Sequence, residues 1–163
     1  MADPVFSLRL YRRDLDQEAV VGLLHELNRH EAGIGARRDL RRQGAVACLE
    51  EDSRKAREWG GEQIVALIEG AVVGYIGMAL SKAGPFVPAE IRQQVYVENL
   101  VVSRDHRRHG IGQALLTRAE DLARLHGLKA ICLGVVPGNT AAEAAYAKVG
   151  FTPTAIEMRK LID

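Results

Sequence analysis

Three groups of residues in this chain of 163 residues have types and spacing that could support chemistry. A turn with two glycines, RRHGIG at residues 107–112, lies between an apolar segment and a helical pattern. One acid, Glu98, interrupts the apolar segment, and one tyrosine, Tyr146, stands among alanines. The turn could bind a phosphate, the carboxylate could accept a proton and the phenol could donate one.

The glycine turn is compatible with phosphate binding, because the free amides of a helix's first turn carry partial positive charge. A P-loop needs a lysine and then a serine or threonine after its last glycine, whereas Gly112 is followed by Gln113, which excludes this motif. A dinucleotide-binding turn needs Gly-x-Gly-x-x-Gly, and Leu115 occupies the place of the third glycine. A dinucleotide-binding module, which would prefer NADH to CoA, remains an alternative.

A third pattern, Arg-x-x-Gly-x-Gly, is met by Arg107, Gly110 and Gly112. A second segment, NTAAEAAYAKVGF at residues 139–151, fits Asn-x-x-Ala followed by Tyr-x-Lys-x-Gly-Phe. With these two segments in this order, the sequence resembles the GNAT superfamily of acetyl-CoA-dependent N-acetyltransferases. The resemblance covers residues 96–151, about a third of the chain.

The resemblance implies where acetyl-CoA binds as the co-substrate. In this family the pyrophosphate lies on the main-chain amides of the turn, and the pantothenate arm pairs with the strand before it. That strand and the next one diverge to admit the thioester. The cofactor-binding residues implied in this way are Leu100, Val101, Val102, Arg107, Arg108, His109, Gly110, Ile111, Gly112, Gln113, Asn139 and Tyr146. For Asn139, a helix N-cap is the alternative role.

Glu98 and Tyr146 are the predicted catalytic residues for acetyl transfer to an amine. An amine with a pKa of about 10.4 is mostly protonated near neutral pH, so a carboxylate that attracts the cation and accepts its proton assists the reaction. A phenol with a pKa of about 10 can protonate a leaving thiolate whose thiol has a pKa of about 8.5. The alternatives are a structural or solvent-facing glutamate and a tyrosine that fills the core. Direct transfer is favoured, because no Ser/His/Asp or Cys/His arrangement indicates an acyl-enzyme.

The acceptor is predicted to be a primary amine of a small molecule, of polyamine, amino-acid or aminoglycoside type. The segment YVENL at residues 96–100 resembles diamine and polyamine acetyltransferases, which often carry two adjacent acids, but the second position here is Asn99. Glu26 and Glu31, near the loop after the first helix, could hold a cation or could be solvated charges. A protein or peptide amine acetyltransferase and a non-catalytic acyl-CoA-binding sensor are the alternative functions.

A sheet with flanking helices must position these residues. We expect an α/β (α+β) fold of GNAT type, with a mixed, mostly antiparallel central sheet and one splayed parallel strand pair. The acidic run at residues 50–52 is expected to be a solvated helix face. Hydrophobic spacing predicts strands at 6–11, 130–136 and 155–161 and a hairpin at 63–80. It also predicts four helices: one that ends near residue 30, one at 37–59, one that follows the glycine turn and one at 140–148.

The composition is that of a single globular domain over residues 1–163. The 22 basic and 21 acidic side chains leave a formal charge of +1, which predicts neither a nucleic-acid nor a membrane partner. Two cysteines, Cys48 and Cys132, show no metal-ligand or disulfide spacing and are expected in the core of a reduced, cytoplasmic protein. No metal site is predicted, and a homodimer is compatible with the sequence.

Overall fold

A five-stranded sheet forms the centre of the structure, a computed structural model that describes residues 5–162. Its strands follow one another in chain order: β1 (Ser7–Leu10), β2 (Gly61–Ile68), β3 (Ala71–Lys82), β4 (Gln93–Val102) and β5 (Ile131–Leu133). Neighbouring strands are antiparallel except for β4 and β5, which are parallel. The mixed, mostly antiparallel sheet predicted from the sequence is therefore confirmed.

Helices cover both faces of this sheet. They are α1 (Arg13–Gly33), α2 (Arg42–Trp59), α3 (Ala89–Arg92), α4 (Ile111–Leu125) and α5 (Thr140–Lys148). A cluster of buried apolar side chains joins α1 and α2 to one face of the sheet, and a second cluster joins α4 to the other. These two faces are called the α2 face and the α4 face below.

The α4 face shows why the sequence forms this layer. Ile111, Leu115, Ala119 and Leu122 recur at three- to four-residue spacing and are all buried on α4. Each fully buried leucine or isoleucine contributes roughly 1.5–3 kcal/mol through removal of apolar surface from water. The helix therefore lies with this stripe on the sheet, which fixes the direction of the turn that precedes it.

The hairpin expected at residues 63–80 is confirmed as β2 and β3. Glu69 and Gly70 form its tight turn and both have positive φ, 50° and 83°. Two successive left-handed residues match the right-handed twist of the flanking strands, and glycine at the second position adopts this conformation without steric cost.

The carboxyl-terminal part differs from the expectation. The strand expected at 130–136 contains only Ile131–Leu133, and its residues are half-buried rather than fully buried. The strand expected at 155–161 is wrong, since residues 151–162 form neither helix nor strand and Ile156 and Met158 are 84% and 90% exposed. Alternating apolar residues form a strand only beside a partner, and the three residues of β5 offer a short edge.

Candidate active site

The turn before α4 has the backbone geometry of an anion site. Arg108 and Gly110 have positive φ, 66° and 77°, and Gly110 is the left-handed residue from which α4 starts at Ile111. No side chain caps this helix. The amides of the first helical turn therefore remain available, and their partial positive charge favours a phosphate.

Arg107 connects this turn to the end of β4 and to α1. Its Nε donates to the carbonyl oxygen of Val102 at 3.0 Å, and its second guanidinium nitrogen donates to Glu26 Oε1 at 3.1 Å. Glu26 also accepts a hydrogen bond from the Arg104 amide at 3.1 Å. Glu26, one of the two acids that were expected near the acceptor, is therefore bound to residues in and just before the turn. Because the ion pair is partly exposed on both sides, an incoming anion could release it at little cost.

The strands β4 and β5 separate next to this turn. Their register runs from Val95 opposite Ile131 to Val97 opposite Leu133 and ends there, while β4 continues to Val102. On the β5 side, the backbone of residues 98–102 is therefore an open strand edge. This part of β4 contains Leu100, Val101 and Val102, for which the sequence predicted backbone contacts with the CoA arm.

Glu98 stands at a bulge of β4, at the start of the open edge. Across the β3–β4 ladder, Val97 pairs with Met78 and Asn99 pairs with Gly77, so Glu98 is the extra residue. Because of the bulge, two consecutive residues point to the same face of the sheet. Glu98 bonds to Lys55 of α2, and Asn99 bonds to Asp52 of the same helix. A regular strand would have placed them on opposite faces.

Asp52 is the main residue that sequence reasoning missed. It was assigned to a solvated acidic face, but it is only 3% exposed. Its carboxylate accepts hydrogen bonds from Tyr75 Oη at 2.8 Å and from Asn99 Nδ2 at 2.9 and 3.0 Å. Burial raises the pKa of Asp52 to about 6, against the opposing effect of these hydrogen bonds. Its burial could have been predicted from its position on the helix, because Asp52 follows Ala45 and Leu49 at helical spacing and so lies on the same buried face of α2.

Lys55 provides the only hydrogen bond that the structure gives to the carboxylate of Glu98 within residues 5–162. Its Nζ donates to Glu98 Oε2 at 2.6 Å, and the side chains of Lys55 and Glu98 are 20% and 14% exposed. Glu98 therefore faces neither open solvent nor an apolar wall. It holds an ammonium group on the α2 face, at the place where β4 and β5 have separated.

Tyr146 borders the apolar core of the α4 face. Its ring packs edge-on against Phe151 at 5.8 Å between centroids. Burial raises its pKa, with a smaller effect from Glu31, so the phenol stays protonated near neutral pH. In the described part of the chain, no hydrogen bond joins Tyr146 to Glu98. The structure does not bring the two predicted catalytic side chains into contact.

A second phenol, that of Tyr96, belongs to the same strand as Glu98, two residues before it. Burial raises the pKa of Tyr96, and the charges acting on it include those of Glu98 and Lys55. Its hydroxyl is 3.4 Å from where a Cβ of Gly134 would stand, just beyond the end of β5. Sequence reasoning treated Tyr96 only as part of a motif, because which strand residues approach Glu98 depends on the separation of β4 and β5.

Asn139 has the helix-capping role that was weighed as its alternative. It is the N-cap of α5, and its side-chain oxygen accepts a hydrogen bond from the Ala142 amide at 3.3 Å. The second acid expected near the acceptor, Glu31, is paired with Arg38 of the following loop. Both cysteines are free thiols and only partly buried.

Among residues 5–162, no group of three or more histidine, cysteine or acidic side chains could hold a metal ion. Within the same range, no helix is both long enough and apolar enough to cross a membrane.

Comparison with known proteins gives consistent matches. The model of the acetyltransferase (GNAT) family matches residues 35–151. A probable N-acetyltransferase camello from Xenopus tropicalis is 34% identical over 94 residues, which make up 58% of this chain and 40% of that protein. N-acetyltransferase family 8 member 3 from Rattus norvegicus is 34% identical over 90 residues, 55% of this chain and 38% of that protein. The matched segment is thus less than half the length of either relative.

Solved structures agree with the fold over nearly the whole chain. A GCN5-related N-acetyltransferase from Ralstonia eutropha JMP134 superposes with a TM-score of 0.71 at 26% identity, and the match covers 97% of this chain and 99% of that one. A predicted acetyltransferase from Clostridium acetobutylicum, crystallised with acetyl-CoA, gives a TM-score of 0.73 at 18% identity over 95% and 96% of the two chains.

Proposed function

This chain belongs to the acetyltransferase (GNAT) family, and from that premise we propose that it transfers the acetyl group of acetyl-CoA directly to a primary amine of a small molecule. The observation that carries the proposal is the position of Glu98. A carboxylate on a bulge stands where β4 and β5 separate, and the uncapped end of α4 lies beyond the same strand. An acyl donor bound along the open edge would present its thioester near a group that accepts protons.

The donor site is assigned to the residues that the sequence predicted. The amides from Arg108 to Gln113 are suited to bind the pyrophosphate, because no side chain caps α4 and two left-handed residues open the turn. The backbone of residues 100–102 offers a strand edge to the pantothenate arm. The side chain of Asn139 is committed to a helix cap, so this residue is assigned to fixing α5 beside the donor.

Glu98 is assigned the role of general base. Its carboxylate already binds an ammonium group at 2.6 Å, so a cationic acceptor fits the same position. Once an acceptor amine has given its proton to Glu98, its lone pair can attack the carbonyl carbon of the thioester. The thiolate that leaves needs a proton, which we assign to Tyr146, with Tyr96 as the second phenol near the opening.

The geometry of the acceptor side supports a small cationic amine. A second carboxylate, Asp52, stands behind Asn99, so the α2 face supplies the acid that the strand lacks at position 99. Acetylation of a protein or peptide amine is the second candidate. The site is proposed to operate in the cytoplasm, where acetyl-CoA is the acyl donor.

Calorimetric binding combined with a thiol-release assay tests the proposal. We expect micromolar binding of acetyl-CoA with no binding of NADH, and release of CoA thiol that depends on an added amine. Binding without thiol release across an amine library would favour the acyl-CoA sensor. Preferential binding of NADH would mean that the turn serves a dinucleotide, and the roles of Glu98 and Tyr146 would be withdrawn.

A further inference from the structure

The amine that Glu98 holds belongs to the chain itself. Lys55 lies on α2, three residues after Asp52, and its Nζ donates to Glu98 Oε2 at 2.6 Å. The two partners are separated by 43 residues in sequence, so this contact is made by the tertiary fold. An acceptor amine that uses Glu98 as its base must occupy this position or one beside it.

The surroundings of Lys55 are those of an ammonium site. Besides Glu98, the Glu51 carboxylate lies 3.9 Å from its Nζ, and the Trp59 ring centroid lies 5.7 Å away. The buried carboxyl of Asp52 adds a further group close to the same cation. Carboxylates and an aromatic face are the groups that recognise an alkylammonium ion. Lys55 thus presents a primary amine as the expected acceptor would.

We propose that Lys55 is an acetyl acceptor of the chain's own active site, an inference that rests on the proposed function. Its Nζ gives one proton to the carboxylate of Glu98, and the free lone pair forms a bond to the carbonyl carbon of the thioester. The bond between that carbon and sulfur breaks, and the nitrogen loses its second proton as the amide forms. CoA leaves as a thiolate that takes up one proton, so the net release is the single proton that Glu98 accepted. The products are an acetylated Lys55 and free CoA.

The modification changes the site in a defined way. An acetylated lysine has no positive charge, so it loses its ion pair with Glu98 and its attraction to Glu51. The carboxylate of Glu98 then becomes free to bind an external cationic amine. Self-acetylation therefore removes an internal competitor for the acceptor position.

Peptide mass spectrometry with isotopically labelled acetyl-CoA and no added amine tests the inference. The other lysines of the chain are built-in controls, because all of them are exposed whereas Lys55 is half-buried; they are Lys82, Lys129, Lys148 and Lys160. Chemical acetylation favours exposed amines. We expect label at Lys55 to exceed that at each control by about tenfold, as positioning beside a bound donor raises the effective concentration of the amine.

Two variants separate enzymatic from chemical labelling. Glu98→Gln should reduce label at Lys55 by about 10²-fold or more, the usual size of a general-base contribution, and leave the four exposed lysines unchanged. Lys55→Arg keeps a cation beside Glu98 but removes the nucleophile, so no label should appear at position 55. The inference would be overturned if the amount of label increased with the exposure of each lysine, or if label at Lys55 were unaffected by Glu98→Gln.

The remaining outcomes separate this inference from the proposed function. A preparation that releases thiol with an added amine but leaves Lys55 unlabelled refutes self-acetylation alone. Labelled Lys55 without turnover of any amine supports it and contradicts the proposed acceptor class. Absence of both reactions refutes both. The labelled fraction must not depend on protein concentration, since a dependence would show transfer between copies instead of within one site.

Discussion

The two faces of the central sheet differ in the side chains that lie between the sheet and its helices. On the α4 face, β3 and β4 pack against the apolar stripe of a helix, which includes Ile111 and Leu115. On the α2 face, apolar packing around Val65 and Val101 gives way to a polar cluster, formed by Asp52, Lys55, Gln63, Tyr75, Glu98 and Asn99. Both faces have an apolar core, and the α2 face also contains this group of buried and half-buried polar side chains.

The bulge at Glu98 creates this difference. A buried carboxyl is unfavourable unless hydrogen bonds or charges compensate for its loss of water, and Asp52 receives such bonds from Tyr75 and Asn99. Asn99 reaches Asp52 because the extra residue shifts the strand by one position. A network of this kind is expected at a functional site, where stability is sacrificed for chemistry.

Glu98→Gln tests whether the α2 face carries the chemistry. We expect turnover to fall by about 10²- to 10⁴-fold, because the amide cannot accept the acceptor's proton. Acetyl-CoA binding, which is assigned to the α4 turn and the β4 backbone, should be unchanged by calorimetry. Unchanged turnover across the pH range would reduce the Lys55 pair to a structural contact.

Asp52→Asn tests the electrostatic cost of the polar cluster. A pKa raised from 3.8 to about 6 means that the folded state binds more protons than the unfolded state in that range, so the contribution of Asp52 to stability falls as pH rises through it. At about 1.36 kcal/mol per pKa unit, the loss is about 3 kcal/mol. The free energy of unfolding of Asp52→Asn, relative to that of the chain with Asp52, should therefore rise by about this much between pH values of roughly 4 and 7.

Urea unfolding at several pH values measures this difference. Asp105→Asn, at an exposed acid just before the glycine turn, is the control for the loss of one carboxyl group. A difference in unfolding free energy that is constant over the pH range would show that Asp52 is not the group that titrates.

Gly77→Ala and Gly74→Ala compare the two faces on one strand, β3. A Cβ at Gly77 would stand 2.3 Å from Asp52 Oδ2, whereas one at Gly74 would stand 3.2 Å from Ile111 Cγ2. Gly77→Ala should therefore lower the free energy of unfolding by about 1–3 kcal/mol, and Gly74→Ala by less. Denaturant unfolding measures both, and an equal or larger loss at Gly74 would mean that Asp52 moves without penalty.

Tyr146→Phe and Tyr96→Phe test which phenol protonates the thiolate. Burial raises both pKa values, so either side chain can donate a proton near neutral pH. We expect Tyr146→Phe to lower kcat about tenfold with little change in acetyl-CoA affinity, and Tyr96→Phe to have the smaller effect. The reverse order would transfer the role to Tyr96, the phenol on the strand that carries Glu98.

Local sequence determined much of the fold. The helical stripe of α4, the Glu69-Gly70 turn and the Asn139 cap each depend on residues close together in the chain, and all three are present in the structure. The expected strand at 155–161 failed for the opposite reason. Its alternation was visible, but a strand needs hydrogen bonds from another segment, and β5 extends over only three residues.

The candidate site also has one part that local sequence indicates and another part that depends on tertiary contacts. The sequence by itself indicated the glycine turn and singled out Glu98, because closely spaced glycines and an acid within an apolar segment are local signals. Only the tertiary structure decided that Glu98 lies at a bulge, that Lys55 is its partner and that Asp52 is buried behind Asn99. These contacts join α2 to β4 across more than 40 residues, and such pairings depend on how helix and sheet pack.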